Sequence, residues 1–341
     1  MGQTILVTGG CGYIGSVLVP LLLEKGYDVR VFDKLYFGDE ALKAVAHRLE
    51  LVPGDVRTFD ESVLEGVGGV VHLGSLSNDP TSEFHPEASH SINYLGTVRL
   101  AEACKRRGVR RFTFASTCAV YGFWLDSAAN ETQPPAPQSA YARSKLDAEN
   151  ALLRLADESF HPVVLRQATV FGLSPRMRWD LVVNAFVMHA FRNGRLDVWF
   201  GGDAWRPLVH VRDVAAAHVA CLEGSDEQVS GQVFNLVHDN FRILGLAQRI
   251  ATAVKSEGYT CDLEINRDKK DTRSYKVSGD KLAKHTGFRP SVAPEEGALE
   301  ILSALKSGRF TDFDHPVYYN MPWLTLLLAV EERLAKTGPV F

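Results

Sequence analysis

Residues 5–23, ILVTGGCGYIGSVLVPLLL, decide the fold. Ile5–Thr8 is a short apolar, β-branched run halted by Gly9 and Gly10, and Tyr13–Leu23 then reads as a helix. Strand, glycine turn and helix, in that order, are the context that turns a glycine motif into a phosphate site. Gly9 permits the tight turn, Gly12 lets a pyrophosphate approach the backbone, and Gly15 lets helix and strand pack closely. The amides at the helix N-terminus then face the anion. Glycine turns are common, so the neighbouring residues must sharpen this reading.

Working outward, DVRVFD (28–33) is the next strand, with Asp33 at its end, 18 residues after Gly15. A carboxylate there accepts hydrogen bonds from both adenosine ribose hydroxyls and repels a 2′-phosphate, which predicts NAD over NADP. Lys34 next to it only softens that argument. Leu49–Val52 is a third strand ending at Asp55, a residue that reads either as a contact to the adenine amino group or as a turn carboxylate. Val70–Leu73 is a buried fourth strand, and Gly74-Ser75 lets the chain pass close to the cofactor. Ile92–Lys105 reads as a helix. Arg111–Ala115 is the fifth strand, with Ser116-Thr117 at its carboxyl end, the edge where open parallel sheets bind ligands. Thr117 there either hydrogen-bonds a substrate hydroxyl or caps its own backbone. Pro134, Pro135 and Pro137 break the chain, and Val163–Arg166 gives a sixth strand. Strands alternating with helices make this an α/β protein, a doubly wound parallel Rossmann sheet.

The chemistry centres on SAYARSK (139–145). In a helix Tyr141 and Lys145 lie one turn apart on one face. An ammonium about 4 Å from a phenol, at an effective dielectric of 20, is worth roughly 4 kcal/mol, or about three pKa units. That predicts a tyrosine poised to exchange a proton near neutral pH. The bland alternative is a surface helix that happens to carry a Tyr and a Lys.

At 341 residues the chain can form one large or two intimate domains. Its net charge of −4 offers no general attraction for nucleic acid or anionic membrane. Five scattered cysteines, with no CxxC pair and no His-rich metal spacing, predict reduced thiols, no metal site and a cytoplasmic protein. The N-terminus lacks the pattern of a signal peptide, and WLTLLLAV near the end is too short to cross a bilayer.

The segments TGGCGYIGS, VFDKL, GDV, HLGS, NYLGT, ASTCAVYG, YARSK and LRQATVFG, in this order, resemble the extended short-chain dehydrogenase/reductases, specifically the nucleotide-sugar epimerases and dehydratases. The resemblance covers nearly the whole chain. It implies catalysis by Thr117, Tyr141 and Lys145, with the tyrosine taking a proton from a sugar hydroxyl while NAD takes a hydride. It implies NAD contacts at Gly9, Gly12, Tyr13, Ile14, Gly15, Asp33, Asp55, Val56, Leu73, Gly74, Ser75, Ser116, Tyr141 and Lys145. Dehydratases of this family place Asp-Glu after the threonine, and glucuronate decarboxylases a Glu two residues after it. Here Cys118 and Ala119 stand instead, so elimination and decarboxylation lose their usual acid/base. Cys118 reads as a core thiol. What remains is 4-epimerisation through a keto-sugar, with net oxidation or ketoreduction as the alternative and a non-catalytic NAD sensor behind both.

The resemblance further implies a nucleoside-diphosphate sugar as substrate, bound by Thr117, Asn184, Arg206 (in WRPLVHVRDVA) and Arg273 (in DTRSYKVS), and a homodimer. Arg176 and Arg178 are further candidate cations. Asp180 is expected to cap a helix over Leu181–Phe191, and Asp213 to cap the helix that follows Arg206. The loop SLSNDPTSEFHPEASH brings Ser77, Asn78, Asp79, Glu83 and His85 near the reaction site, either as a second acid/base or as a polar surface loop. The tail from His315 to Phe341 reads as a cap or subunit contact. The expected division is 1–171 and 208–238 for the NAD-binding Rossmann domain, and 172–207 and 239–341 for a smaller α/β substrate domain.

Overall fold

The structure, a computed structural model, describes residues 3–267 and 274–338. Seven strands form its central sheet: β1 (Thr4–Thr8), β2 (Asp28–Asp33), β3 (Leu49–Pro53), β4 (Val67–His72), β5 (Arg111–Thr117), β6 (His161–Gln167) and β7 (Val233–Leu236). Their spatial order is β7-β6-β5-β4-β1-β2-β3, and every pairing is parallel. Parallel strands are covered on both faces and therefore run nearly all apolar. Leu6 and Val7 of β1, Phe112 and Phe114 of β5, and Val163–Leu165 of β6 are accordingly buried. The strand order reverses between β1 and β4, which opens a crevice at their carboxyl ends. Gly9, Asp33, Leu73-Gly74 and Ser116-Thr117 all stand at that edge.

The first helix spans Gly15–Glu24. The stretch expected as Ile92–Lys105 begins as a π-helical turn (His90–Gly96) and continues as an α-helix (Thr97–Arg106). The helix carrying Tyr141 spans Ala140–Leu155 and is capped by the Ser139 hydroxyl, which accepts from the Ala142 amide.

Among the described residues, three small sheets lie outside the central one. Thr169–Phe171 pairs with Trp205–His210, which also pairs with Asp239–Arg242. Arg195–Val198 pairs with Asp262–Ile265, and Trp124–Ala129, unanticipated from the sequence, pairs with Tyr275–Val277. One apolar cluster binds the later elements together, with Phe171, Trp179, Phe186, Ile250 and Ile301 among its members.

Two expected helix caps are corrected. The helix after Asp180 is Val182–Asn193, and no side chain caps it. Asp180 is drawn away by the Arg178 guanidinium, which donates to it from two nitrogens (2.9 and 2.7 Å). Asp213 lies inside Val211–Glu223, a helix capped by His210. Its carboxylate accepts from the amides of Ser291 and Val292, both at 3.0 Å, and ties down a distant segment.

Candidate functional site

A cavity of about 730 Å³ runs along the carboxyl edge of the sheet. Its walls include Gly9, Gly12, Tyr13, Ile14, Gly15, Asp33, Asp55, Val56, Leu73–Ser75, Ser116, Thr117, Tyr141, Lys145 and Arg206. These positions, scattered through two thirds of the sequence, are thus brought to one place. Arg273 lies outside the described residues.

At one end the glycine turn is built so that backbone meets backbone. Gly9 has φ +71°, and a Cβ there would stand 2.7 Å from the Gly74 nitrogen at the end of β4. A Cβ on Gly15 would stand 2.5 Å from both Gly9 O and Gly10 Cα. No side chain caps the helix that starts here, so its amide dipoles face the cavity, as a diphosphate requires. Asp33 is half-buried among polar groups that fix its direction: one oxygen accepts from the Cys11 amide (2.9 Å), the other from Leu35 (2.7 Å). Burial raises its pKa, and the two amides oppose that rise. These features fit an adenine dinucleotide.

Asp55 is more occupied than its sequence position implies. Arg57 clasps both its oxygens (2.9 and 2.6 Å), and Lys34 stands 3.5 Å away. Together they hold its carboxyl down at about 2.

At the other end, Tyr141 and Thr117 line the same stretch of wall, and the Thr117 hydroxyl favours the phenolate of Tyr141. The Thr117 oxygen accepts from the Ala119 amide at 3.1 Å, the self-capping alternative. Lys145 is buried, donates to the Ala115 carbonyl at 2.8 Å, and sits 4.7 Å from the Phe114 ring centroid. Burial pushes its ammonium down to about 7, partly opposed by Glu149. Tyr141 is pushed up to about 12, by burial first and then by Asp79. The expected tyrosine acidified by its lysine is therefore corrected. Desolvation, with the Asp79 charge behind it, outweighs the Thr117 hydroxyl and the Arg178 charge that pull the other way.

Asp79 accepts from the Ser139 hydroxyl at 2.6 Å, and Glu83 accepts from the Ala140 amide at 2.8 Å. The polar loop thus anchors the start of the Tyr141 helix, and Asp79, Asn78 and Ser77 also line the cavity.

Three side chains are bonded within the protein. Asn184 is fully buried and absent from the cavity wall. It accepts from the Gly172 amide (2.9 Å) and donates to Tyr13 Oη (3.1 Å) and the Arg178 carbonyl (2.9 Å). All its amide hydrogens are spent inside the protein, so it pins structure and leaves none for a diphosphate. Tyr13 turns its phenol away and donates to the Gly172 carbonyl at 2.6 Å. Ser116 likewise gives its hydroxyl to buried Glu149, which is also paired with Arg166 at 2.7 Å. Tyr13 and Ser116 present their main chain to the cavity. Cys118 is a buried core thiol donating to the Arg166 carbonyl.

Two further parts of the wall come from a turn the sequence reading did not single out and from the tail expected as a cap or subunit contact. Trp199, Phe200 and Gly202 form a tight turn, with Phe200 itself at φ +58°. Tyr319–Pro322 begins the C-terminal helix (Asn320–Thr337) and brings it to the cavity mouth. The adjacent glycines signalled the first; nothing periodic marked the second.

Comparisons with known proteins agree on the architecture. A model of the NAD dependent epimerase/dehydratase family matches residues 5–236. The chain is 32% identical over 247 residues to a UDP-glucose 4-epimerase of Corynebacterium glutamicum, covering 68% of this chain and 74% of that one. Among solved structures, the UDP-glucose 4-epimerase of Thermotoga maritima with UDP-glucose superposes with a TM-score of 0.79 at 26% identity, over 90% of this chain and all of that one (100%). The UDP-glucose 4-epimerase of Thermus thermophilus in complex with NAD gives a TM-score of 0.76 at 27% identity, over 89% and 99%.

Proposed function

The chain belongs to the NAD-dependent epimerase/dehydratase family, and from that premise we propose that it inverts C4 of a nucleoside-diphosphate sugar, with a UDP-hexose as the first candidate. The UDP-sugar reading is supported by the relatives just described. The observation that carries the chemistry is the convergence of Thr117, Tyr141 and Lys145 with the glycine turn in one cavity.

NAD, when bound, supplies the two-electron acceptor and donor that makes a sugar alcohol a ketone and then restores it. Tyr141 would act as the phenolate, formed once the positive charge of bound NAD and of protonated Lys145 lowers its pKa; it then takes the hydroxyl proton and returns it in the second half-reaction. Thr117 orients the same hydroxyl and donates to the phenolate as it forms. Lys145, held by Ala115, fixes the floor of the site and adds positive charge when protonated. Arg206, on the cavity wall, serves the substrate diphosphate, and Arg273 is assigned with it from its sequence position. Position 118 is a buried thiol and position 119 an alanine, so the carboxyl groups used for elimination or decarboxylation are lacking there. This reading divides the chain into an NAD-binding part (1–171 and 208–238) and a sugar-binding part (172–207 and 239–341).

Among the described residues no helix is long and apolar enough to cross a membrane. All five cysteines are buried and unpaired, which supports a reducing, cytoplasmic setting. A homodimer completes the reading, checked by sedimentation. The deciding experiment incubates the protein with UDP-, GDP-, CDP- and dTDP-sugars and follows products by NMR. Inversion at C4 without net consumption of NAD supports the proposal. Stoichiometric NADH formation, or no change in any sugar, overturns it.

A further inference from the structure

Arg176 is a buried cation with no counter-charge. Only 7% of it is exposed, and its Nε has no hydrogen-bond partner. Its bonded partners are neutral: Nη2 donates to Asn320 Oδ1 at 2.6 Å and to the Val317 carbonyl at 3.3 Å. The flat face of the guanidinium lies 3.7 Å from the centroid of Phe37. Among the described residues no carboxylate is within ion-pair range; Asp180 and Asp33 act on it only from further away. Arg178, two residues on and equally buried, has Asp180 at 2.7 Å. A buried charge without a partner is expensive. The contrast between these neighbours asks what anion completes Arg176.

Its location supplies the answer. The segment leading to it is stitched onto the glycine turn: Tyr13 donates to the Gly172 carbonyl, Ser174 donates to the Tyr13 carbonyl at 2.8 Å, and the Ser16 and Ser174 hydroxyls meet at 2.9 Å. Arg176 thus enters the cavity wall that also holds Gly12, Asp33 and Phe37. This is the adenosine side of the cavity, where uncapped helix amides already invite an anion.

The groups that hold Arg176 come from the far end of the chain. Asn320 uses its carbonyl for Arg176 and its amide for Ser77 Oγ, at 2.8 Å, in the loop after β4. Trp323, one turn later, donates its indole N–H to the Tyr36 carbonyl in the loop after β2. Tyr318 accepts from the Trp179 amide at 3.1 Å. The start of the C-terminal helix therefore spans the two loops that flank the glycine turn.

We propose that Arg176 holds the diphosphate bridge of NAD, and that Asn320 and Trp323 lock it in place so that the C-terminal helix governs how slowly the cofactor leaves. A doubly charged diphosphate neutralises the buried guanidinium through charge-assisted bonds. The inference rests on NAD binding alone and is independent of which sugar is turned over. It also deepens the epimerase reading, since a cofactor regenerated within each cycle gains from slow release.

The test is binding to the cofactor-free full-length protein, with ADP and adenosine as paired probes in calorimetry. Arg176→Gln is expected to weaken ADP and NAD by at least 30-fold while adenosine changes less than threefold. The same variant without ligand should melt no lower than the wild type, because an unpaired buried charge has gone. Asn320→Ala and Trp323→Phe should each speed NAD dissociation, followed by stopped-flow fluorescence, by tenfold or more. Unchanged ADP affinity in Arg176→Gln, or equal losses for ADP and adenosine, overturns the diphosphate contact. Weakened UDP binding with normal NAD binding assigns Arg176 to the substrate and overturns it too. Wild-type NAD release from both C-terminal variants removes the locking role. None of these outcomes depends on epimerase turnover, so a failed sugar assay leaves the two proposals separable.

Discussion

Tyr141 and Thr117 face one cavity although 24 positions and a change of element separate them. Thr117 ends β5, and Tyr141 opens the helix that packs over it. The threonine oxygen is braced by the Ala119 amide, and its hydroxyl favours the phenolate of Tyr141. The tyrosine itself is raised to about 12, and near pH 7 it holds its proton unless further positive charge arrives.

Tyr141→Phe removes the proton carrier and leaves the cavity's shape nearly intact. Turnover should fall by at least three orders of magnitude with the NAD dissociation constant changed less than threefold, measured by coupled assay and calorimetry. Thr117→Val should cost less, about 10–100-fold, because it removes one hydrogen bond and leaves the acid/base in place. A Tyr141→Phe enzyme within tenfold of wild type would remove Tyr141 from its role.

Asp33→Ala removes the carboxylate that two backbone amides aim at the cavity. NAD binding should weaken by 10-fold or more, about 1.4 kcal/mol or greater. NADP binding should weaken little or improve, since the repulsion of a 2′-phosphate disappears. Equal losses for both cofactors, in parallel titrations, would contradict the ribose assignment.

Gly15→Ala puts a methyl 2.5 Å from backbone atoms of Gly9 and Gly10, where no side chain can rotate aside. Overpacking of this kind costs about 1–3 kcal/mol, and NAD affinity should drop with it. Gly245→Ala is the contrasting case. It lies within the helix Ile243–Ser256 with nothing near its would-be Cβ, so it should be neutral or stabilise by up to ~1 kcal/mol. Denaturant midpoints and calorimetry check both, and similar effects at the two sites would refute the packing argument.

Acid should destabilise the fold before its carboxylates titrate. His72 and His218 are fully buried and pushed down to about 3, chiefly by desolvation. His72 bridges the Thr8 and Thr97 hydroxyls, and His218 meets Thr113 and Gln167. Between their ordinary value near 6.5 and about 3, the unfolded chain binds protons that the folded chain refuses. Stability therefore falls as pH drops through that window, by up to about 1.4 kcal/mol per pH unit for each histidine. His218→Gln should flatten the slope between pH 6.5 and 5 by about one such step, read from urea midpoints. An unaltered slope would show that His218 is protonated in the folded protein.

The central sheet was legible because its determinants are local. β-branched runs ended by glycine, a carboxylate at the end of β2, and Tyr141 one helical turn from Lys145 are patterns a few residues long, and the backbone obeys them wherever they occur. For the same reason the cofactor edge could be assembled on paper, residue by residue.

Side-chain direction was another matter. Asn184, Tyr13 and Ser116 stand at plausible positions, yet the first is sealed off from the cavity and the other two turn their functional groups inward. Their partners, Gly172, Arg178 and Glu149, offered bonds at closer range than any ligand could. The acidity of Tyr141 likewise turned on desolvation, a property of everything packed around it.

What the sequence by itself determined is the order of strands and turns, the family, and the identity of the chemical groups at the sheet edge. Only the tertiary structure decided which of those groups face the cavity, and that Asn320 meets Ser77 and Trp323 meets Tyr36 across 243 and 287 positions. The physical reason is range: periodicity and turn chemistry act over a few residues, whereas burial and long-range hydrogen bonding exist only once the chain has closed on itself.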